Sequence, residues 1–380
     1  MNKKVLFIGH DASRTGAPLL LLEVVRWLKY NSEISPHFLL LKGGDLEEEY
    51  KSLGPVDFIS TGKTLPEYNQ ILKKIGLLKE NKITLAERYP EDEFPIIYAN
   101  TIATLGCIRD LACENRKIIH HIHELSYITE SFTTVDNFKE ISLKTNLYIA
   151  ASRSVKQYLI DTINICQEKV MVIHEFPIST AIGKVSSRDL VRVELGIPKD
   201  AFVIGMCGWP QWRKGPDLFV QIANIVINKK RRDNAYFIWL GGSKETHVAY
   251  EYDLAKLNIE SKCFFIEHMQ DPEKFYDCLD LYALTSREDP FSVAMLEAGL
   301  RSVPIVCFKD SGGATELVQD EGGISVPYID VEAMSEAVCF YNDNETIKSN
   351  HGNQLKNLIQ QEYSLESKCH EIGQLIKGLS

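Results

Sequence analysis

Two acidic residues, Asp289 and Glu297, frame the segment TSREDPFSVAMLEAGLRSVP (285–304), which reads as the end of a strand, a helix and the start of the next strand. Asp289 fits a helix N-cap and Pro290 the first helical position. The unpaired amides around Phe291, Ser292 and Val293, at the positive end of the helix dipole, would then favour a phosphate. Glu297, on the same helix, is spaced to accept a pair of ribose hydroxyls. A capped helix with a solvated glutamate explains the same residues.

Other segments also end strands with chemistry. In Gly208–Asp217 (GWPQWRKGPD), Arg213 and Lys214 precede a glycine that opens a helix, and a lysine there can neutralise a diphosphate. An exposed basic pair at a turn is the plain alternative. In Lys117–Glu124 (KIIHHIHE), His121 and His123 share one strand face. No third ligand follows at metal-site spacing, so His123 reads as a hydrogen-bonding group at a cleft, and His120 as a core histidine. Gly9–Leu19 (GHDASRTGAPL) joins a strand to a helix through Gly16, which is ordinary turn chemistry, and no G-x-G-x-x-G fingerprint occurs. The Gly-rich turn Asp310–Glu316 (DSGGATE) is suited to shaping a cleft floor, with Glu316 in a structural role. Gly62-Lys63-Thr64 mimics the end of a P-loop, but Asp57 stands where the first glycine is required.

These segments need a scaffold that brings strand ends together. Short apolar runs predict strands at Lys4–Gly9, His37–Leu41, Val56–Ile59, Pro95–Ala99, Lys117–His123, Leu147–Ala151 and Val170–Ile173. The pattern restarts with Phe202–Cys207, Tyr236–Leu240, Phe264–Glu267, Leu281–Leu284, Val303–Cys307 and Gly323–Val326. Helical periodicity falls between them, at Ala17–Lys29, Thr101–Cys113, Ser154–Thr162, Gly215–Asn228, Pro272–Cys278 and Ser292–Leu300. Continuous apolar strands alternating with helices mean parallel sheets covered on both faces. The expected fold is therefore α/β: two doubly wound, Rossmann-like domains, residues 1–180 and 185–355, facing a cleft at the carboxyl ends of their strands. A polar linker is expected over Ile178–Asp200, and a helical segment over 356–380.

Bulk properties narrow the class. The 380 residues are 44% hydrophobic and 25% charged, the balance of a globular enzyme. No apolar run reaches the roughly 18 residues of a membrane span, and the short run after Lys3-Lys4 meets His10-Asp11 where a signal peptide needs small residues. Nine scattered cysteines without a C-x-x-C pair indicate buried thiols in a reducing, cytoplasmic setting. A net charge of −10 excludes nucleic acid as a natural partner. That charge divides as −2 over residues 1–180 and −8 over 181–380, so the first half meets the smaller penalty at an anionic inner membrane face.

The stretch Ser286–Pro304 resembles the signature of retaining glycosyltransferases of family 4, of GT-B fold: two acidic residues separated by seven, here Asp289 and Glu297. The family usually has Glu at the first position, so Asp289 is a shortened version. Lys214 matches the second cation of the family's phosphate loop; the first is replaced by Trp209, and whether Arg213 takes over its place is left open by the sequence. Gly16 resembles the glycine that admits donor backbone contact, and His123 the family's histidine near the transferred sugar. The resemblance implies His123 and Asp289 at the sugar, with Gly16, Arg213, Lys214, Phe291, Ser292, Val293 and Glu297 on a UDP- or GDP-linked nucleotide sugar.

It further implies retention without metal or other cofactor, the nucleotide sugar serving as co-substrate, and a terminal helix crossing back to the first domain. Closure would hinge near residues 178–200. Glycan or lipid-linked acceptors at the inner membrane face follow from the same resemblance, with the irregular stretches Pro66–Glu93 and Ser126–Lys139 as the acceptor side. Competing readings of the same architecture are a nucleotide-sugar epimerase, a phosphorylase-like enzyme, for which the chain is too short, and a non-catalytic nucleotide-sugar-binding protein.

Overall fold

The computed structural model describes residues 3–59, 84–178, 188–269, 271–318 and 322–379. The stretch Gly62-Lys63-Thr64, residues 179–187 of the expected linker and residues 66–83 of the expected acceptor side lie outside them.

The first sheet contains β1 (Lys3–Gly9), β2 (Ile34–Leu40), β3 (Val56–Phe58), β4 (Ile96–Asn100), β5 (Lys117–Ile122), β6 (Leu147–Ala150) and β7 (Val170–Val172). All neighbours pair in parallel, in the order β3-β2-β1-β4-β5-β6-β7. The second sheet contains β8 (Phe202–Cys207), β9 (Ala235–Leu240), β10 (Cys263–Ile266), β11 (Leu281–Leu284), β12 (Ile305–Phe308) and β13 (Gly323–Val326), also parallel, in the order β10-β9-β8-β11-β12-β13. Each of the thirteen expected strands is present, displaced by a few residues at most.

Strand pleating divides the first core in two. Val5 and Phe7 of β1 join Phe38, Tyr98 and Ile149 on one face. Leu6 and Ile8 join Leu39, Ile97 and Ala150 on the other. The first of these faces is closed by the helix Gly16–Asn31, whose Leu21, Val25 and Leu28 are buried, and by the last helix, Leu365–Gly378. Cys369, Ile372 and Ile376 anchor that last helix in the first-domain core, and Gly373 lets it come close to Leu28 and Trp27. The preceding helix, Glu345–Glu362, belongs to the other core through Leu355 and Ile359. The chain crosses between domains at Tyr363, whose ring stacks on Phe291 at 5.5 Å and meets His174 at 5.2 Å.

Two expectations need correction. The linker expected to run to Asp200 gives way to a helix, Arg188–Glu194. There Val191 is buried in the second core and Arg192 pairs with Asp280 at 2.7 Å while donating to the Cys278 carbonyl. The stretch Ser126–Lys139, expected to be irregular, folds as two short helices, Ser126–Phe132 and Val135–Ser142, the second capped by Thr134.

Candidate functional site: a cleft between two sheets

Both sheets aim the carboxyl ends of their central strands at one cleft of about 2150 Å³. All nine residues singled out from the sequence line it: Gly16 and His123 from the first domain, and Arg213, Lys214, Asp289, Phe291, Ser292, Val293 and Glu297 from the second.

The second-domain wall is two loops laced together. After β8 the chain makes a short turn, Trp212–Lys214, and reaches Gly215 at φ 69°, where a Cβ would sit 2.2 Å from the Thr285 carbonyl oxygen. Only glycine fits both the left-handed backbone and that approach. The amide of Arg287 donates to the Arg213 carbonyl at 2.7 Å, and the Arg213 guanidinium returns a bond to the Glu288 carbonyl at 2.7 Å. Asp289 is pinned from behind: its N–H donates to Ser311 at 2.7 Å, and its carbonyl accepts from Gly313 at 3.2 Å. A Cβ on Gly312, at φ 133°, would lie 1.9 Å from that carbonyl oxygen, which is why the turn at 310–316 is glycine-rich.

This lacing corrects one sequence reading. Asp289 is not the helix cap. The helix is Val293–Gly299, and Ser292 caps it by accepting from the Met295 amide. The Asp289 carboxylate faces the phosphate loop instead: Oδ2 lies 2.6 Å from Lys214 Nζ and accepts from Ser286 Oγ at 3.0 Å, while Oδ1 is 3.7 Å from Arg213 Nη1. Two cations attract it more strongly than weakly polar amides do.

Burial raises the Asp289 carboxyl, but Lys214 and then Arg213 outweigh that, so it stays below its ordinary value. For Lys214 burial dominates: its ammonium is pushed down despite Asp289, with Arg213 adding repulsion. The cluster holds two cations and one carboxylate, and the Arg213 Nε is buried without a hydrogen-bond partner among the described residues. At this cluster positive charge is in local excess.

The other positions serve the cleft in different ways. The Phe291 ring is buried against Tyr363 and His174, and the Val293 side chain packs onto the first-domain core. Glu297 is buried on the helix, where Oε1 accepts from the Ile178 amide at 2.8 Å and Oε2 lies 3.6 Å from Arg301. Gly16 opens its helix, and a Cβ there would meet nothing within 4 Å, so the space before it belongs to the cleft. Trp209, where the resemblance expects a cation, is 57% exposed.

His123 directly follows β5 with both ring nitrogens engaged: Nδ1 with Glu175 Oε1 at 2.9 Å and Nε2 with Asn100 Oδ1 at 2.8 Å. Asn100 in turn donates to the Ala17 carbonyl at 3.1 Å, tying the histidine to the helix that begins at Gly16. Neither Glu175 nor Asn100 is marked in the sequence by any motif; their only signal is a position just after β7 and at the end of β4. His121 stacks on His123 at 4.0 Å and bonds Tyr98, and among the described residues no three His, Cys, Asp or Glu side chains converge as metal ligands.

Glu288 and Glu316 add further contacts between the domains. Glu288 accepts from Ser126 Oγ and the Tyr127 amide, both at 3.1 Å, beside a Tyr127–Trp212 ring contact of 4.8 Å. Glu316 accepts from the amides of Arg153 (3.1 Å) and Ser154 (3.2 Å) and meets His174 Nε2 at 2.8 Å.

Two facing parallel α/β domains with a cleft between them are the GT-B architecture, and HepE of Anabaena, solved with UDP and with UDP-glucose, shares it. The UDP complex superposes with a TM-score of 0.79 over 99% of this chain and 100% of that one, at 19% identity. Residues 187–363 match the family Glycosyl transferases group 1. The chain is 23% identical over 228 residues to the Staphylococcus aureus capsular polysaccharide biosynthesis glycosyltransferase CapM, 59% of either chain. It is 21% identical over 290 residues to the UDP-Gal:alpha-D-GlcNAc-diphosphoundecaprenol alpha-1,3-galactosyltransferase of Escherichia coli, 73% of this chain and 74% of that one. The alignment with CapM spans about three-fifths of that relative's length.

Proposed function

We propose that this protein is a retaining, metal-independent glycosyltransferase that moves a sugar from a UDP- or GDP-linked donor to a glycan or lipid-linked acceptor. The observation that carries the reading is the buried excess of positive charge at Arg213 and Lys214, which a diphosphate would balance. Cleaving the bond between the anomeric carbon and the phosphate oxygen leaves positive charge on the sugar and sends the electron pair to the diphosphate. Lys214, Arg213 and the amides at Ser292 and Val293 would stabilise that leaving group, as preorganised charge does where water is excluded. Glu297 would hold the ribose. Asp289 and His123 would hold the sugar, and Gly16 would leave room for its approach.

The names of CapM and of the Escherichia coli galactosyltransferase support an acceptor in envelope glycan synthesis, and we place the protein on the cytoplasmic side. No helix among the described residues is long and apolar enough to cross a membrane, so any membrane contact in this reading is peripheral. A thermal-shift screen across UDP-, GDP- and ADP-sugars tests it, since a ligand at 100 times its Kd adds about 2.7 kcal/mol of stability. A raised Tm with one of the UDP or GDP donors is expected; a flat response to all of them removes the proposal.

A further inference from the structure

We infer that Asp289 stands in for the donor's diphosphate when no donor is bound, and that this makes the cleft prefer a sugar-bearing nucleotide over the bare nucleoside diphosphate left after transfer. The inference rests on the proposal that a diphosphate binds at Lys214.

A diphosphate arriving at Lys214 finds the ammonium already engaged: Asp289 Oδ2 is 2.6 Å away, and Oδ1 lies 3.7 Å from the Arg213 guanidinium. The three side chains are nearly closed to solvent, with relative exposures of 13% for Lys214, 15% for Arg213 and 6% for Asp289. The internal pair is therefore a full competitor rather than a screened surface contact. The Asp289 backbone cannot withdraw, because Ser311 and Gly313 hold its N–H and carbonyl. Only the carboxylate can turn aside, leaving Lys214 to the diphosphate.

A buried carboxylate that turns away must find other donors, or the cost of its lost partner falls on ligand binding. Ser286 Oγ, at 3.0 Å, supplies one hydrogen bond and cannot replace the cation. The hydroxyls of a donor sugar, delivered beside the diphosphate, supply the rest. A nucleotide sugar thus exchanges one set of partners for another, whereas a bare nucleoside diphosphate takes the lysine and gives Asp289 nothing. Once the sugar has left, the carboxylate returns to Lys214 and displaces the product. Asp289 is in this sense a specificity-determining residue whose charge selects donor over product.

Calorimetric binding of UDP and of UDP-glucose to the full chain, wild type and Asp289→Asn, tests this, with GDP and GDP-mannose as the second pair. The wild type should bind the nucleotide sugar more tightly than the diphosphate. Asp289→Asn, which keeps the shape and removes the competing charge, should bind the diphosphate roughly ten- to a hundredfold more tightly and lose the preference. Unchanged or weaker diphosphate binding by Asp289→Asn, with an unaltered circular dichroism spectrum, overturns the inference, as does a wild type that binds both ligands equally.

If Asp289→Asn does not fold, Ser286→Ala is read instead. It keeps the ion pair and removes the one bond that the displaced carboxylate retains, so the preference for UDP-glucose over UDP should widen about two- to fivefold, and an unchanged preference overturns the inference. Lys214→Met, measured in parallel, separates the premise. If it binds the diphosphate as the wild type does, or if no form of the protein binds any of these nucleotides, the diphosphate site itself is wrong and the inference falls with it.

Discussion

Replacing Lys214 by methionine keeps the length of the stem and deletes the ammonium. Its Nζ sits 2.6 Å from Asp289 in a nearly closed wall, so no solvent cation can take its place at comparable geometry. Loss of one preorganised group at a leaving oxyanion costs ~100–1000-fold in turnover, or about 3–4 kcal/mol. Stability should fall as well, but by less than the ~3–5 kcal/mol of a buried pair broken outright. Asp289 retains Ser286 at 3.0 Å and has Arg213 at 3.7 Å. The two effects are separable. Nucleotide release from the donor chosen by thermal shift, measured at saturating donor, gives the rate, and guanidinium unfolding monitored by circular dichroism gives the stability. A folded Lys214→Met protein turning over within about threefold of wild type would refute the electrostatic argument, since a factor of three corresponds to only about 0.6 kcal/mol.

Glu297→Ala removes a buried carboxylate that holds the Ile178 amide at 2.8 Å; nucleotide affinity by calorimetry should fall roughly ten- to a hundredfold, and an unchanged Kd counts against its placement at the ribose. Gly313→Ala places a Cβ 2.4 Å from the Pro290 carbonyl oxygen and 2.7 Å from Ser152 Cβ of the other domain. Small-angle scattering should then show a larger radius of gyration, and an unchanged profile would mean the domains do not close on that contact. His120 is buried and its Nε2 donates to the Thr101 carbonyl; burial, only partly offset by that bond, brings its pKa down to about 4. The unfolded chain therefore takes up the proton first, and stability is lost as pH falls from 6.5 toward 4, by about 3 kcal/mol from this group. Denaturant titrations of His120→Asn across that range should show a flatter pH dependence, and an identical slope would argue that His120 is protonated in the native state.

The strands were legible because both faces of each central strand are covered. Runs such as Phe202–Cys207 and Leu281–Leu284 are apolar without interruption, and intervening turns such as Trp212–Gly215 punctuate them. Ser126–Lys139 was misread because its short helices, one capped by Thr134, carry too few apolar positions to show a period. The misplaced cap at Asp289 has a different cause. Asp-Pro before an apolar stretch is a sound local signal, and what overrides it is Lys214, 75 positions away in the chain. Sequence spacing could nominate His123 but not the Glu175 and Asn100 that engage its two nitrogens, because they come from the ends of other strands. Glu316 could be marked only for a structural role and Glu288 not at all: each serves backbone amides of the other domain, and an amide carries no residue identity.

A crystal structure of the full chain with UDP measures the central claim directly. The β-phosphate should lie within about 3 Å of Lys214 Nζ, against the start of the helix Val293–Gly299 and with Asp289 turned from the lysine. Ordered UDP bound elsewhere, with the Lys214–Asp289 pair intact, would contradict the account.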